Sequence, residues 1–308
     1  MHRCLLALKK QTRPASEVVI VVRDSDSDTW QFIKNFDAGN LTIKSLKIFV
    51  PGVVAALNLG LDAISGDIVS ITDDDAEPHT NWLELITDHF IQDDTLGAVG
   101  GRDWVYHGSE IESGTSSLVG KLMWFGGVIG NHHIGVGEPR EVDILKGVNM
   151  SFRYNAISSM RFDQRMRGTG AQVHFEMAFS LALKKADWKL IYDPKVAVNH
   201  YPAKRFDEDQ RNSFSQVAFT NLVHNETLAL LDFLPPIRRY VFILWAVLVG
   251  SRNGFGLVQL FRFLPYEGEV ALKKLIASLD GRIQGWKTWS QSRKFWQDDS
   301  ASHLTLRG

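Results

Sequence analysis

The chain has 308 residues, with 34 Lys and Arg against 35 Asp and Glu, 44% hydrophobic residues and a formal net charge of −1. These values fit a globular protein of one large domain with an appendage, and near-neutral charge argues against a general nucleic-acid binder. A single cysteine, Cys4, excludes an intrachain disulfide and a cysteine-built metal site and fits a reducing, cytoplasmic setting.

Residues 4–10 read as a helix with Leu5, Leu6 and Leu8 on its apolar side, stopped by Gln11-Thr12-Arg13-Pro14. The apolar run at 17–22 reads as a buried strand, with Asp24, Asp26 and Asp28 just beyond it. Helix 29–36 follows, with Asp26 and Asp28 expected as its caps. Strand 46–49, helix 52–63, strand 68–72, helix 82–91 and strand 98–101 come next. This alternation predicts an α/β fold with a mostly parallel, doubly wound central sheet and flanking helices. Residues 108–143 are rich in Gly, Ser and aromatics and read as a long functional loop. Helix 173–185 and strand 189–192 restore regularity.

The last third differs. Pro235-Pro236-Ile237-Arg238-Arg239 precedes a ten-residue apolar run at 240–249. That run is short of the ~20 residues a spanning helix needs. Gly250-Ser251-Arg252-Asn253-Gly254 interrupts it, and 255–264 is apolar again. Two readings stay open: a core helix hairpin, or a helix pair seated at a membrane surface with Arg238 and Arg239 at its flank.

The sharpest signal is strand 68–72 running directly into Asp73-Asp74-Asp75. Acids at the carboxyl end of such a strand stand where open α/β sheets bind ligands. Three adjacent carboxylates repel one another unless a positive charge sits among them. Mg²⁺ or Mn²⁺ holding a diphosphate answers that need, and a solvated acidic turn is the plain alternative.

Three segments together resemble the family 2 glycosyltransferases of the GT-A fold, over about residues 1–202. They are Gln11-Thr12-Arg13-Pro14 through Asp28, Ala55 through Asp75, and Lys146-Gly147-Val148-Asn149-Met150-Ser151-Phe152-Arg153 through Pro194. The resemblance implies a catalytic domain at 1–210, with a nucleotide-binding half at 1–105 and an acceptor half at 106–210. Residues 211–308 form a C-terminal helical region. It also implies an inverting transfer of a hexosyl or deoxyhexosyl group from a nucleotide-diphosphate sugar to a glycan or lipid-linked acceptor, as in polysaccharide biosynthesis. Two departures stand out. The family opens with a strand ahead of the first helix, and here the chain begins at the helix; a start further upstream, or a sheet lacking a central strand, is expected. The family often carries Glu-Asp at the start of the acceptor-side helix, and His174-Phe175-Glu176 stands there instead.

On this resemblance Asp75 and Asp73, as a DxD motif, and His200 are the expected metal site. Glu176 is the general base, with His174 as its alternative or assistant. Asp24, Asn58, Asp73, Asp74, Arg102, Lys146 and Asn149 are expected to face the nucleotide or donor sugar. Trp124, His132 and His133 are expected to face the acceptor. A location in the cytoplasm, with the inner face of the membrane in view, completes the expectation. A nucleotidyltransferase and a catalytically impaired nucleotide- or glycan-binding protein are the rivals. The first is disfavoured because no Gly-rich basic loop follows the first strand.

Overall fold

The computed structural model describes residues 1–203, 208 and 213–304. They fall into two units: residues 1–123, 128–163 and 175–205 form one, and residues 124–127, 164–174 and 206–308 the other. The boundary expected between residues 210 and 211 lies outside the described residues.

In the first unit α1 (His2–Lys9) buries Cys4, Leu5, Ala7 and Leu8. The apolar run that follows is β1 (Val18–Arg23), which pairs in parallel with β2 (Ile43–Ile48). Between them lies α2 (Ser27–Asn35), capped by Asp26, whose carboxylate accepts from the Thr29 amide at 3.0 Å. After β2 comes α3 (Val53–Leu61).

The larger sheet contains β3 (Ile68–Thr72), β4 (Ala76–Pro78), β5 (Leu96–His107), β6 (Asn149–Arg153) and β7 (Lys189–His200), in the order β3-β6-β5-β7-β4. Two-residue strands, Glu110–Ile111 and Arg140–Glu141, pair with β5 and β7. This sheet is mixed, not mostly parallel. β5 and β7 run parallel, but β6 returns after the long segment and inserts between β3 and β5, antiparallel to both. Four of its five residues are buried, so both faces are covered. Among the described residues β1 pairs only with β2, and β3 only with β6. Among the described residues the β1–β2 pair is therefore separate from the larger sheet.

The core joins α1 to α4 (Trp82–Gln92) and the sheet: Cys4, Leu5 and Leu8 pack with Trp82, Ile86, Phe90, Leu96, Val99, Val196 and Val198. Each large apolar side chain so buried contributes about 1.5–3 kcal/mol. Further along this unit lies α5 (Phe175–Lys185).

The second unit is helical: α6 (Gln216–Phe233), α7 (Pro236–Leu248), α8 (Leu257–Glu267) and α9 (Glu269–Leu304). A tight hairpin, Gly250–Ser251 against Gly254–Phe255, joins α7 to α8. Gly281 and Gly285, one turn apart on α9, face α6. A Cβ there would stand 2.7 Å from the Thr220 carbonyl and 2.8 Å from that of His224, so only glycine permits this approach. Between them Arg282 reaches Glu226 at 2.6 Å and donates to Thr227 Oγ1 at 2.8 Å, a buried pair on α6. Among the described residues no helix is long and apolar enough to cross a membrane.

Candidate active site

The site is built by strand pairing. β3 ends at Thr72, which pairs with Asn149 of β6. A turn closed by the Ala76 amide on the Asp73 carbonyl, at 3.1 Å, brings the chain into β4. There Ala76 pairs with His200 at the end of β7. The Tyr201 amide donates to the Asp75 carbonyl at 3.0 Å, and the Ala203 amide to Asp75 Oδ2 at 2.8 Å. Asp75 is thereby fixed beside His200, with 3.4 Å between its Oδ1 and Nε2. Asp73, Asp75 and His200 each offer an atom within 4.8 Å of the others. Asp74 points the other way and is 71% exposed.

On β5, Asp103 pairs with Val198, and His200 lies two residues further along β7 on the same face. Asp103 is fully buried, with Oδ2 3.9 Å from His200 Nδ1 and 4.0 Å from Lys146 Nζ. Both Asp103 oxygens and both His200 nitrogens are buried with no hydrogen bond of good geometry.

The charges are mutually dependent. Burial alone would lower His200, but Asp103 and Asp75 raise its pKa to about 9. Burial alone would raise Asp103, but His200 and Lys146 hold its carboxyl below the usual range. Asp73 keeps an exposed surface while lying deep among protein atoms. Desolvation by those atoms, then the Asp75 charge, raise its pKa to about 6, and Asp74 and Glu176 add to the rise. Glu176 belongs to the same unit as the cluster. It sits in the first turn of α5, with Oε2 buried and lacking a hydrogen bond. Ser180 Oγ donates to the Glu176 carbonyl at 2.7 Å and accepts from the Leu145 amide at 3.1 Å, tying α5 to the Lys146 loop.

Two carboxylates and an imidazole form a donor set suited to Mn²⁺ or Mg²⁺, with Mn²⁺ the more tolerant of nitrogen. The fit rests on the His200 nitrogens and Asp103 oxygens: buried polar atoms without hydrogen bonds are costly unless something completes them.

The model of the glycosyl transferase family 2 matches residues 1–163. The chain belongs to glycosyl transferase family 2. Among curated family relatives, it is 23% identical over 239 residues to the glucosyl-dolichyl phosphate glucuronosyltransferase of Haloferax volcanii, covering 73% of this chain and 70% of that one. It is 33% identical over 90 residues to glycosyltransferase AglE of the same organism, covering 27% of this chain and 29% of that one. Its fold is similar to GalNAc-T7, solved with UDP, GalNAc and Mn²⁺, at TM-score 0.60 and 13% identity over 89% of this chain. The chain spans about half of that protein, 51%. It is also similar to S. aureus TarS with UDP-GlcNAc, at TM-score 0.60 and 15% identity, covering 92% of this chain and 77% of that one. The mannosyltransferase PcManGT of Pyrobaculum calidifontis, solved with GDP-Man and Mn²⁺, matches at TM-score 0.54 and 16% identity, covering 92% and 82%. The family 2 domain thus has the GT-A fold.

Within that domain the structure places the expected site residues as follows. Asn58 is buried, donating to the Phe162 carbonyl at 2.9 Å and accepting from the Phe162 amide at 2.8 Å, so its amide braces that loop. Asn149 is equally committed: Oδ1 accepts from Trp82 Nε1 at 2.9 Å, and Nδ2 donates to the Val196 and Arg102 carbonyls. Arg102 lies on the opposite face of β5 from Asp103, stacked 3.5 Å over Trp104 and donating to the His133 carbonyl. His132 is buried and pairs with the Ile144 carbonyl at 2.9 Å. His133 faces Glu112 at 3.4 Å.

Asp24 is half-exposed and holds Lys47 at 2.7 Å. Lys146 is at the cluster through Asp103. Trp124 and His174 belong to the helical unit. The Trp124 side is 61% exposed, and its carbonyl accepts from Arg238 Nε. His174 has φ of 77°, an unusual left-handed conformation for histidine.

Asp103 is the site residue that sequence reading missed. A signal was present: an acid three residues after Ala98-Val99-Gly100 in a strand must be paired or bound if its face is the core. Arg102, one residue earlier, faces the other side of this period-two element. The adjacent glycines, Gly100 and Gly101, stand where backbone and side chains crowd the strand. A Cβ on Gly101 would lie 1.6 Å from the Val196 carbonyl, inside the irregular 193–198 stretch of β7.

Proposed function

We propose that this protein transfers a hexosyl group from a nucleotide-diphosphate sugar to a glycan or lipid-linked acceptor, inverting the anomeric centre. The observation that carries this reading is the meeting of Asp73, Asp75 and His200 within 4.8 Å. When bound there, Mn²⁺ or Mg²⁺ supplies positive charge to a departing diphosphate. Asp75 and His200 hold that position, and Asp103 sets the orientation of His200. Lys146 adds a positive charge beside Asp103. Glu176 takes the proton from the acceptor hydroxyl as its oxygen bonds to the anomeric carbon and the carbon–diphosphate bond breaks. One displacement with a single base inverts the centre.

Membership of family 2 supports the transfer itself. The name of the Haloferax glucuronosyltransferase supports a lipid-linked acceptor, and the Mn²⁺ in two structural neighbours supports the metal. A cytoplasmic setting fits the lone Cys4 thiol, buried and pushed up to about 12 by desolvation.

The test is thermal unfolding with UDP, dTDP or GDP, with and without Mn²⁺, followed by donor hydrolysis with the matching nucleotide sugars. A metal-dependent rise in Tm with one nucleotide, and turnover of a sugar carried on it, are the expected results. No nucleotide shift in the presence of Mn²⁺ and no turnover would overturn the reading.

A further inference from the structure

The helical unit leaves apolar surface uncovered in a regular pattern. On α7, Ile237, Tyr240, Leu244 and Leu248 recur every three or four residues and form one stripe, and all four are exposed. On α8, Leu257, Phe261 and Leu264 do the same, with Phe261 71% exposed. The two helices meet at the hairpin. A Cβ on Gly256, at the start of α8, would stand 2.8 Å from the Ala246 and Val247 carbonyls at the end of α7. Such a surface is unusual on a protein that faces only water.

Charge decides its occupant. Residues 233–266 contain four arginines, Arg238, Arg239, Arg252 and Arg262, and no Asp, Glu or Lys. Arg252, at the hairpin tip, and Arg262, on α8, are exposed. Tyr240 and Tyr266 are 70% and 86% exposed, and tyrosines of this kind suit the headgroup layer. A second copy of the chain would bring the same arginines to the same edge, with no carboxylate in the segment to meet them. An anionic lipid surface matches both the apolar stripes and the arginines. Crossing is not required: 13 residues of α7 extend about 20 Å, short of the ~30 Å hydrocarbon core.

We infer that the α7–hairpin–α8 segment is an interfacial seat that lies in the plane of an anionic membrane, its apolar stripes in the acyl boundary and its arginines among phosphate headgroups. This goes beyond the sugar-transfer reading and needs no activity to be tested.

The experiment is co-sedimentation of the full chain with phosphatidylglycerol-containing and pure phosphatidylcholine vesicles, alongside sedimentation velocity without lipid. The seat predicts binding to the anionic vesicles at least tenfold stronger than to the neutral ones. It predicts loss of binding in the exposed-face variant Leu244→Glu/Phe261→Glu, with its Tm retained. Arg252→Ser/Arg262→Ser should weaken the anionic binding by more than tenfold, since each arginine near such a surface contributes roughly a factor of five. Failure to bind either vesicle would overturn the inference. So would a lipid-free dimer that Leu244→Glu/Phe261→Glu dissolves without changing vesicle binding, which would assign the face to self-association. The nucleotide-induced rise in Tm, read on the same samples, separates these outcomes from failure of the transferase reading.

Discussion

Asp103 Oδ2 lies 3.9 Å from Nδ1 of His200, while the other ring nitrogen faces Asp75 at 3.4 Å. The imidazole is thus held between two carboxylates from different strands. A carboxylate behind a metal-facing histidine fixes the orientation of the ring and strengthens it as a ligand. Asp103→Asn keeps the shape and removes the charge. It should weaken Mn²⁺ binding by 10–100-fold, measured by titration calorimetry, while circular dichroism stays unchanged. Equal Mn²⁺ affinity in the variant would reduce Asp103 to a packing residue.

Glu176→Gln should separate binding from chemistry. Nucleotide and Mn²⁺ should raise Tm as in the parent, because Glu176 is assigned no contact with them. The rate of transfer to acceptor should fall by about 10²–10⁴, the range for a lost general base. A drop in KM performance with kcat intact would move Glu176 from proton transfer to positioning.

Gly101→Ala tests whether the glycine pair serves the fold. The added methyl would collide with the Val196 carbonyl, a backbone atom that cannot rotate away. We expect a loss of about 3 kcal/mol or more, or failure to fold, read as denaturant midpoint. Gly108→Ala provides a contrast in space, since a Cβ there meets nothing within 4 Å, although its φ of 67° carries its own smaller cost.

His132 ties stability to acid. Burial pushes its pKa down from 6.5 to about 4, so the folded state favours the neutral ring. The unfolded chain therefore binds the extra proton between those values, and stability must fall as pH drops from about 6.5 to about 4. At ~1.4 kcal/mol for each unit of pKa difference, the upper bound is about 3 kcal/mol. In urea melts at pH 7.5, 5.5 and 4.5, His132→Gln should lose stability at pH 7.5 yet decline less steeply with acid. Parallel declines in the two proteins would remove His132 as the source.

Much of the fold was legible because strong periodicities carried it. Strand 68–72 and the helix from Trp82 stand where the apolar runs placed them, and Asp26 caps α2 as its spacing implied. Strand direction was less accessible. β6 reads locally like any buried strand, and only its pairing after a long excursion makes it antiparallel to β3 and β5. Side-chain commitment was the least legible. Asn58 and Asn149 look like donor-binding amides until their partners, Phe162 and Val196, prove to be 104 and 47 residues away. Asp103 escaped because its partner His200 is distant in sequence and adjacent only through the β5–β7 register.

Anomalous diffraction from crystals soaked with Mn²⁺ and the stabilising nucleotide tests the central assignment most directly. The account predicts one manganese peak within coordination distance of Asp75 and His200, with the diphosphate against it, and loss of that peak in Asp75→Ala. A peak elsewhere, or one that survives Asp75→Ala unchanged, would contradict it.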